Sequence, residues 1–135
     1  NKEEPKATAL SPKQWPNNPL YLFGIDLYHQ SYFWEAHEAW ETLWHLTTKT
    51  DPIGQFLQGL IQNSAAQLKR HLQNWEAMAH LGQQAYARLA SIAETPFMGV
   101  SLPQLLHDMD AHYTQPPATP FTPAPRLQLA IQRGL

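Results

Sequence analysis

The chain contains no cysteine among its 135 residues. Disulfides, thiolate zinc sites, iron–sulfur clusters held by its own thiolates and cysteine nucleophiles are therefore excluded. Charged residues are also scarce, at 15%, and nine Lys and Arg against eleven Asp and Glu give a net charge of -2. Because a protein that binds nucleic acid through its phosphates needs a basic face, this slightly negative net charge predicts no nucleic-acid partner. The one basic cluster, Lys69-Arg70-His71, is expected to be a solvated helix face.

Long apolar runs are missing as well. No stretch approaches the ~20 residues that a membrane span requires, and the first residues do not resemble a signal peptide. We therefore expect no membrane partner and a cytoplasmic location. The six glycines form no phosphate-binding loop, and no serine stands in a G-x-S-x-G elbow. Whether the protein is an enzyme stays open, and we expect no cofactor.

Proline, by contrast, is frequent and unevenly placed. Of the twelve prolines, four lie before residue 20 and five lie between 116 and 125. Because proline cannot donate to a helix or a sheet, both ends are predicted to be extended or irregular. The length suits one domain. We divide the chain into a Pro-rich N-terminal arm at 1–19, a helical domain at 20–113 and a Pro-rich C-terminal arm at 114–135.

The middle of the chain has the pattern of helices. Asp51-Pro52 pairs an N-cap residue with the proline favoured at the first helical position, and Thr95-Pro96 marks a helix end. Apolar residues at helical spacing complete a prediction of five helices, at about 20–29, 31–47, 52–73, 75–93 and 102–112. Sustained strand-like alternation is absent. The predicted fold class is all-α, a single-domain, bundle-like array of about five helices with Pro-rich arms.

Three of the five tryptophans lie in one short tract, residues 32–44. On a helical wheel at about 100° per residue, His37 and Glu41 fall in the middle of an aromatic arc that consists of Phe33, Trp34, Trp40 and Trp44. Burying each large apolar side chain is worth about 1.5–3 kcal/mol, whereas burying an unpaired carboxylate costs several kcal/mol. We therefore expect the arc to be buried, and His37 and Glu41 to have polar partners, beginning with each other at i and i+4.

The next helix offers further partners. Gln58, Gln62 and Lys69 flank its apolar face within about 40° of one another. Glutamine both donates and accepts hydrogen bonds, and lysine can neutralise a carboxylate. We predict one polar cluster of these three residues with His37 and Glu41, roofed by Trp40 and Trp44. Three interpretations stay open: a network that only fixes helix packing, a pocket for a small polar ligand or ion, and a catalytic site.

Two stretches also carry a family resemblance: YFWEAHEAWETLW at 32–44, preceded by Phe23-Gly24, and QFLQGLIQ at 55–62, followed by Lys69 and Asn74. Together they resemble the domain of unknown function 309 family, which shares a His-Glu-x-x-Glu-x-x-Trp helix, a Gln-Gly-Leu-Ile-Gln helix and a Gly-Asn turn. The resemblance covers roughly residues 20–93. It implies a small all-helical fold and no established activity. The residues that match its motif positions are His37, Glu38, Glu41, Trp44, Gly59 and Gln62. Gln73 stands where the turn has glycine, so one long bent helix is the alternative there.

A metal site is not predicted. His37-Glu38-Ala39-Trp40-Glu41 differs from the HExxH motif of zinc proteases in its last residue, and a third ligand would have to come from elsewhere. The function we favour is a small-ligand binding module whose site residues are His37, Glu38, Glu41, Trp44, Gln58, Gln62 and Lys69. A purely structural or oligomerisation protein is one alternative, and a metal-dependent hydrolase is another.

The C-terminal arm carries apolar residues beyond its prolines. Leu127, Leu129 and Ile131 alternate along the chain, which is typical of an extended segment laid into a groove. With Phe121, they favour docking over free disorder. The groove belongs to the same chain or to a neighbour, and in the second case a swapped arm would hold a homodimer, which is the assembly we favour.

Overall fold

The computed structural model describes residues 4–8, 11–114 and 124–129. Within these ranges, a 3-10 helix at Pro12–Asn17 precedes five α-helices: α1 Pro19–His29, α2 Phe33–Trp44, α3 Pro52–His71, α4 Trp75–Ala90 and α5 Leu102–Thr114. The same ranges contain isolated β-bridges but no strand. The predicted all-α, single-domain array is confirmed, although α2 is shorter than expected at both ends. None of the helices found there is long and apolar enough to cross a lipid bilayer.

Prolines and asparagines determine where several helices begin. Pro19 and Pro52 occupy the first helical position, where a missing N–H costs nothing. The side chains of Asn18 and Asn74 each accept a hydrogen bond from a backbone N–H of the following turn, at 3.1 Å. Asp51 is the N-cap residue of α3, as predicted, but its side chain makes no capping hydrogen bond.

The turn between α3 and α4 is sharp. Gln73 has a left-handed backbone with φ of 60°. Its N–H donates to the Arg70 carbonyl at 3.0 Å, and the Asn74 N–H donates to the Lys69 carbonyl at 2.9 Å. These two bonds form a Schellman motif, which ends a helix. The alternative of one long bent helix is therefore wrong, and glutamine adopts a conformation that glycine would take at lower cost.

Each α-helix packs against the next one along the chain, so that α2 lies between α1 and α3 in this series. Two glycines allow a close approach. Gly24 of α1 faces the indole of Trp40, and Gly59 of α3 faces the side chain of Leu89 on α4. An added Cβ at either position would overlap its neighbour. These crossings fix how α1 meets α2 and how α3 meets α4.

The C-terminal segment 124–129 docks on the same chain. Leu127 is completely buried, and Leu129 packs partly buried against the core. Leu129 also forms an isolated antiparallel bridge with Val100. The docking predicted for the arm is therefore found within this chain for these residues, whereas Phe121 and Ile131 lie outside the described residues. The homodimer stays a prediction.

Two hydrogen bonds tie this segment to the end of α1. The hydroxyl of Tyr28 donates to the carbonyl of Pro125 at 2.6 Å. The backbone N–H of Leu127 donates to Nε2 of His29 at 3.2 Å. Because both bonds connect residues almost a hundred positions apart, the segment is part of the folded domain.

Candidate functional site

Only part of the aromatic arc on α2 is buried. Phe33 and Trp40 lie in the core, Trp44 is half-buried, and Trp34 is 53% exposed. The expectation that the whole arc is buried is therefore wrong for Trp34. The reason is that α2 also turns its opposite apolar side to the core, and this side consists of Ala36, Ala39 and Leu43.

His37 and Glu41 lie at the edge of the buried face of α2, and both are half-buried. The indole of Trp34 stacks on the imidazole of His37, with ring centroids 5.0 Å apart and an interplanar angle of 20°. Nδ1 of His37 is enclosed and has no hydrogen-bond partner in the described part of the chain. Within that part, no hydrogen bond or ion pair joins His37 to Glu41.

Trp44 lies two helical turns beyond His37, on nearly the same side of α2. Its Nε1 is also enclosed without a partner among the described residues. Nζ of Lys49 lies 4.2 Å from the centroid of the Trp44 ring, which is a cation–π contact. An unsatisfied buried polar group costs about 1–3 kcal/mol, and native structures usually satisfy such a group with protein or water. This side of α2 therefore carries two enclosed nitrogens whose hydrogen-bonding capacity is not used by the described residues.

Gln62, one of the predicted partners on α3, is buried and bonded to α4 instead. Its Oε1 accepts from Nε of Arg88 at 3.0 Å, and its Nε2 donates to Oε1 of Gln84 at 3.4 Å. Nη1 of Arg88 donates in turn to Oε1 of Gln55 at 3.0 Å. This network connects α3 to α4 and uses the hydrogen-bonding groups that were expected to face α2.

The remaining predicted residues are only partly enclosed. Gln58 and Lys69 are half-buried, and Glu38 is exposed. Among the described residues, none of the three is hydrogen-bonded to His37 or Glu41. What the structure brings onto one face is therefore His37, Glu41 and Trp44, while the grouping of all seven predicted residues stays a prediction.

A second polar network, which the sequence analysis missed, runs through the interior between α1, α3 and α5. Nδ2 of Asn63 donates to the hydroxyl of Tyr28 at 2.8 Å, and the hydroxyl of Tyr113 donates to Oδ1 of Asn63. Nε2 of Gln67 donates to the Tyr113 hydroxyl at 2.6 Å. The same amide lies 3.2 Å from Nε2 of His112. Burial raises the pKa of both tyrosines, so their hydroxyls stay protonated.

Arg70 lies beside this network and is only 1% exposed. Its Nη1 is 3.7 Å from Sδ of Met78, and burial lowers the pKa of its guanidinium. The expectation of a solvated basic face is therefore wrong for Arg70. Burial, together with the positive charge of Arg70, lowers the pKa of His112 to about 4. The sequence pattern that could have predicted this network is a stripe of polar residues at i, i+4 and i+7 on α3, namely Asn63, Gln67 and Arg70.

Metal binding has little geometric support in this part of the chain. The described residues contain no group of three or more His, Asp or Glu side chains that could hold a metal ion. The third ligand that the hydrolase alternative requires beside His37 and Glu41 is therefore not found there.

The comparisons with known proteins bear on α1 to α4. The sequence model of a family described as Domain of unknown function (DUF309) matches residues 21–81, a little under half of the chain. The resemblance is confirmed over this stretch, which includes His37, Glu41, Trp44 and Gln62 but not α5 or the C-terminal segment. No curated protein and no solved structure matches the chain.

Proposed function

We propose that the protein is a small-ligand binding module whose site is the α2 face of Trp34, His37, Glu41 and Trp44, inside the stretch that matches the DUF309 family. One observation carries the proposal: Nδ1 of His37 and Nε1 of Trp44 are enclosed on one side of α2 without partners in the described residues. Because each unsatisfied nitrogen costs about 1–3 kcal/mol, a ligand that supplies the missing partners would be bound with a corresponding gain.

Two exposed side chains pack on the faces of the rings that carry these nitrogens. Trp34 stacks on His37, and Lys49 lies over the ring of Trp44. Exposed side chains change rotamer within picoseconds to nanoseconds, so Trp34 and Lys49 can move away from these rings while the buried part of α2, anchored by Trp40, stays in place. Trp34 can then close over a ligand as a flat aromatic surface.

The polar groups of the face define the ligand chemistry. Nε1 of Trp44 can only donate a hydrogen bond, so the ligand needs an acceptor. The ionised carboxylate of Glu41 only accepts, so the ligand also needs a donor. His37 can do either, depending on its tautomer. Hydroxyl groups meet both needs, and an apolar ring face suits Trp34, so the proposed ligand class is a small polyhydroxylated molecule of the sugar type.

The test is an NMR titration of the indole N–H signals with a panel of monosaccharides, disaccharides and linear polyols. We expect a compound of this class to shift the Trp44 signal. Trp44→Phe keeps an aromatic ring and removes the donor, so this variant, followed by the indole signal of Trp34, is expected to bind the same compound at least about tenfold more weakly. Trp75→Phe, at a partly exposed position on α4, is the matched control and should bind like the wild type.

The structural alternative predicts a different result. If the α2 face only fixes helix packing, no compound of the panel shifts the Trp44 signal, and His37→Ala changes the free energy of unfolding alone. That outcome would overturn the proposal. A compound that shifts the signal equally in the wild type and in Glu41→Ala, which has no acceptor at this position, would retain a ligand site but remove Glu41 from it.

A further inference from the structure

A cleft of about 360 Å³ lies between α5 and the C-terminal segment. Its polar lining consists of His107, Asp108 and His112 on α5 and Arg126 on the segment, and two alanines and a proline supply its apolar surface. The volume falls within the range of about 300–1,000 Å³ that is typical of small-molecule sites. None of these residues belongs to the α2 face.

Both walls of the cleft are held in place from behind. On the α5 wall, His112 is within hydrogen-bond distance of Gln67, in the network that also fixes Tyr113. On the other wall, the carbonyl of Pro125 accepts the hydrogen bond from Tyr28. Leu127, two residues further along the chain, is buried in the core. The cleft is therefore preformed, which lowers the conformational cost of binding.

The two walls carry opposite charges that do not neutralise each other. Oδ1 of Asp108 accepts a hydrogen bond from Nε2 of Gln104 at 3.0 Å, which leaves its second oxygen available. Arg126 is exposed. Within the described residues, neither Asp108 nor Arg126 forms an ion pair. A carboxylate on one wall and a guanidinium on the other match a molecule that carries both charges itself.

We propose that this cleft binds a small zwitterion of the amino-acid type, with its ammonium group on Asp108 and its carboxylate on Arg126. The apolar body of the ligand lies against the surface formed by Ala111, Ala124 and Pro125. Guanidinium groups bind carboxylates through two parallel hydrogen bonds, which orients the ligand across the cleft. His112 stays neutral near pH 7, because burial and the charge of Arg70 lower its pKa to about 4, so it adds a hydrogen-bonding group and no competing charge.

The test is a backbone NMR titration with each of the twenty common amino acids, followed by two analogues of the tightest one: the acid without the amine and the amine without the acid. We expect the amino acid to shift signals of α5 and of the C-terminal segment. Each analogue should bind at least about tenfold more weakly, since each lacks one charge-assisted hydrogen bond.

Two variants assign the two charges. In Asp108→Asn, the amino acid should lose its advantage over the acid analogue, and in Arg126→Gln it should lose its advantage over the amine analogue. Glu76→Gln, an exposed position on α4, controls for the change of net charge in Asp108→Asn and should bind like the wild type. Trp44→Phe should also leave this binding unchanged, which separates the cleft from the α2 face.

Three results would overturn the inference. They are the absence of any shift with all twenty amino acids, equal affinity for the amino acid and its acid analogue in the wild type, and equal affinity for the amino acid and its amine analogue. The second result would identify the cleft as a plain anion site, and the third would identify it as a plain cation site.

Discussion

The hydroxyl of Tyr28 donates a hydrogen bond to the carbonyl of Pro125 at 2.6 Å, across 97 positions of the chain. The same oxygen accepts a hydrogen bond from Nδ2 of Asn63 at 2.8 Å. One buried hydroxyl therefore connects α1, α3 and the C-terminal segment. Because burial raises its pKa, the hydroxyl keeps the proton that it donates to Pro125.

Tyr28→Phe removes that hydroxyl and leaves the Pro125 carbonyl and the Asn63 amide without this partner. We expect the free energy of unfolding to fall by about 1–3 kcal/mol, measured by urea denaturation. Tyr32→Phe is the matched control, since Tyr32 is 52% exposed, and it should change stability by less than about 0.5 kcal/mol. Equal losses in the two variants would contradict the linking role of Tyr28.

Ending the chain after Gln115 removes the docked segment. The truncated protein loses the burial of Leu127, worth about 1.5–3 kcal/mol, together with the acceptor for Tyr28. We expect a lower urea midpoint, and we expect Leu127→Ala to cost about 2–5 kcal/mol in the full-length chain. Leu72→Ala is the control, because Leu72 is 72% exposed.

The same truncation tests the predicted homodimer. If the arm holds two chains together, light scattering should show a dimer mass for the full-length protein and a monomer mass after truncation. A monomer mass in both samples would contradict the homodimer, and an unchanged midpoint would show that the segment contributes nothing to stability.

Gln73→Gly addresses the Schellman turn. A non-glycine residue in the left-handed region carries about 1–2 kcal/mol of strain, so glycine should raise the free energy of unfolding by about 1 kcal/mol. Gln73→Ala keeps a Cβ at the same φ and should bring no comparable gain. If both variants were equally stable, relief of the left-handed backbone strain at Gln73 would not be the cause of the gain in stability.

The α2 tract shows what the sequence predicts and what it does not. Helical periodicity and the start signals predict the five α-helices but not the 3-10 helix at Pro12–Asn17, and they place Phe33 and Trp40 in the core. A helix with apolar residues on two sides has no unique buried face in its own sequence, however. Which side turns inward depends on the neighbouring helices, and for this reason the exposure of Trp34 was not predictable.

The hydrogen-bond partners of the polar residues could not be predicted from the sequence for a similar reason. The sequence shows that Gln62 is a hydrogen-bonding residue beside an apolar face, but its partner Arg88 comes from the following helix. The rotation of α4 against α3 brings them together, and that rotation follows from close packing such as that of Leu89 on Gly59. Wheel angles within α3 carry no information about it.

We expect the purified protein to contain no stoichiometric zinc, iron or manganese. His37 and Glu41 supply two ligands at most, and a protein zinc site uses at least three protein ligands. Elemental analysis provides the measurement. One metal ion per chain in the wild type, absent from His37→Ala but retained in His107→Ala, would contradict this expectation and favour the hydrolase alternative.

His112 should make the stability of the fold sensitive to acid. Its pKa is about 4 in the folded protein against an ordinary value of 6.5, so the unfolded chain takes up a proton at a higher pH than the folded one. The contribution of His112 to the free energy of unfolding is therefore fully present above about pH 6.5, and it decreases as the pH falls towards 4. Below that range the group contributes no further change.

His112→Gln removes this titration and retains an amide that can hydrogen-bond to Gln67. Between pH 6.5 and 4, the variant should lose less stability than the wild type in a series of urea denaturations. The difference between the two curves isolates His112, since all the other titrating groups are common to both proteins. If the His112→Gln curve were parallel to that of the wild type, the imidazole of His112 would take up its proton equally in both states, and it would not be buried among the groups of the interior network.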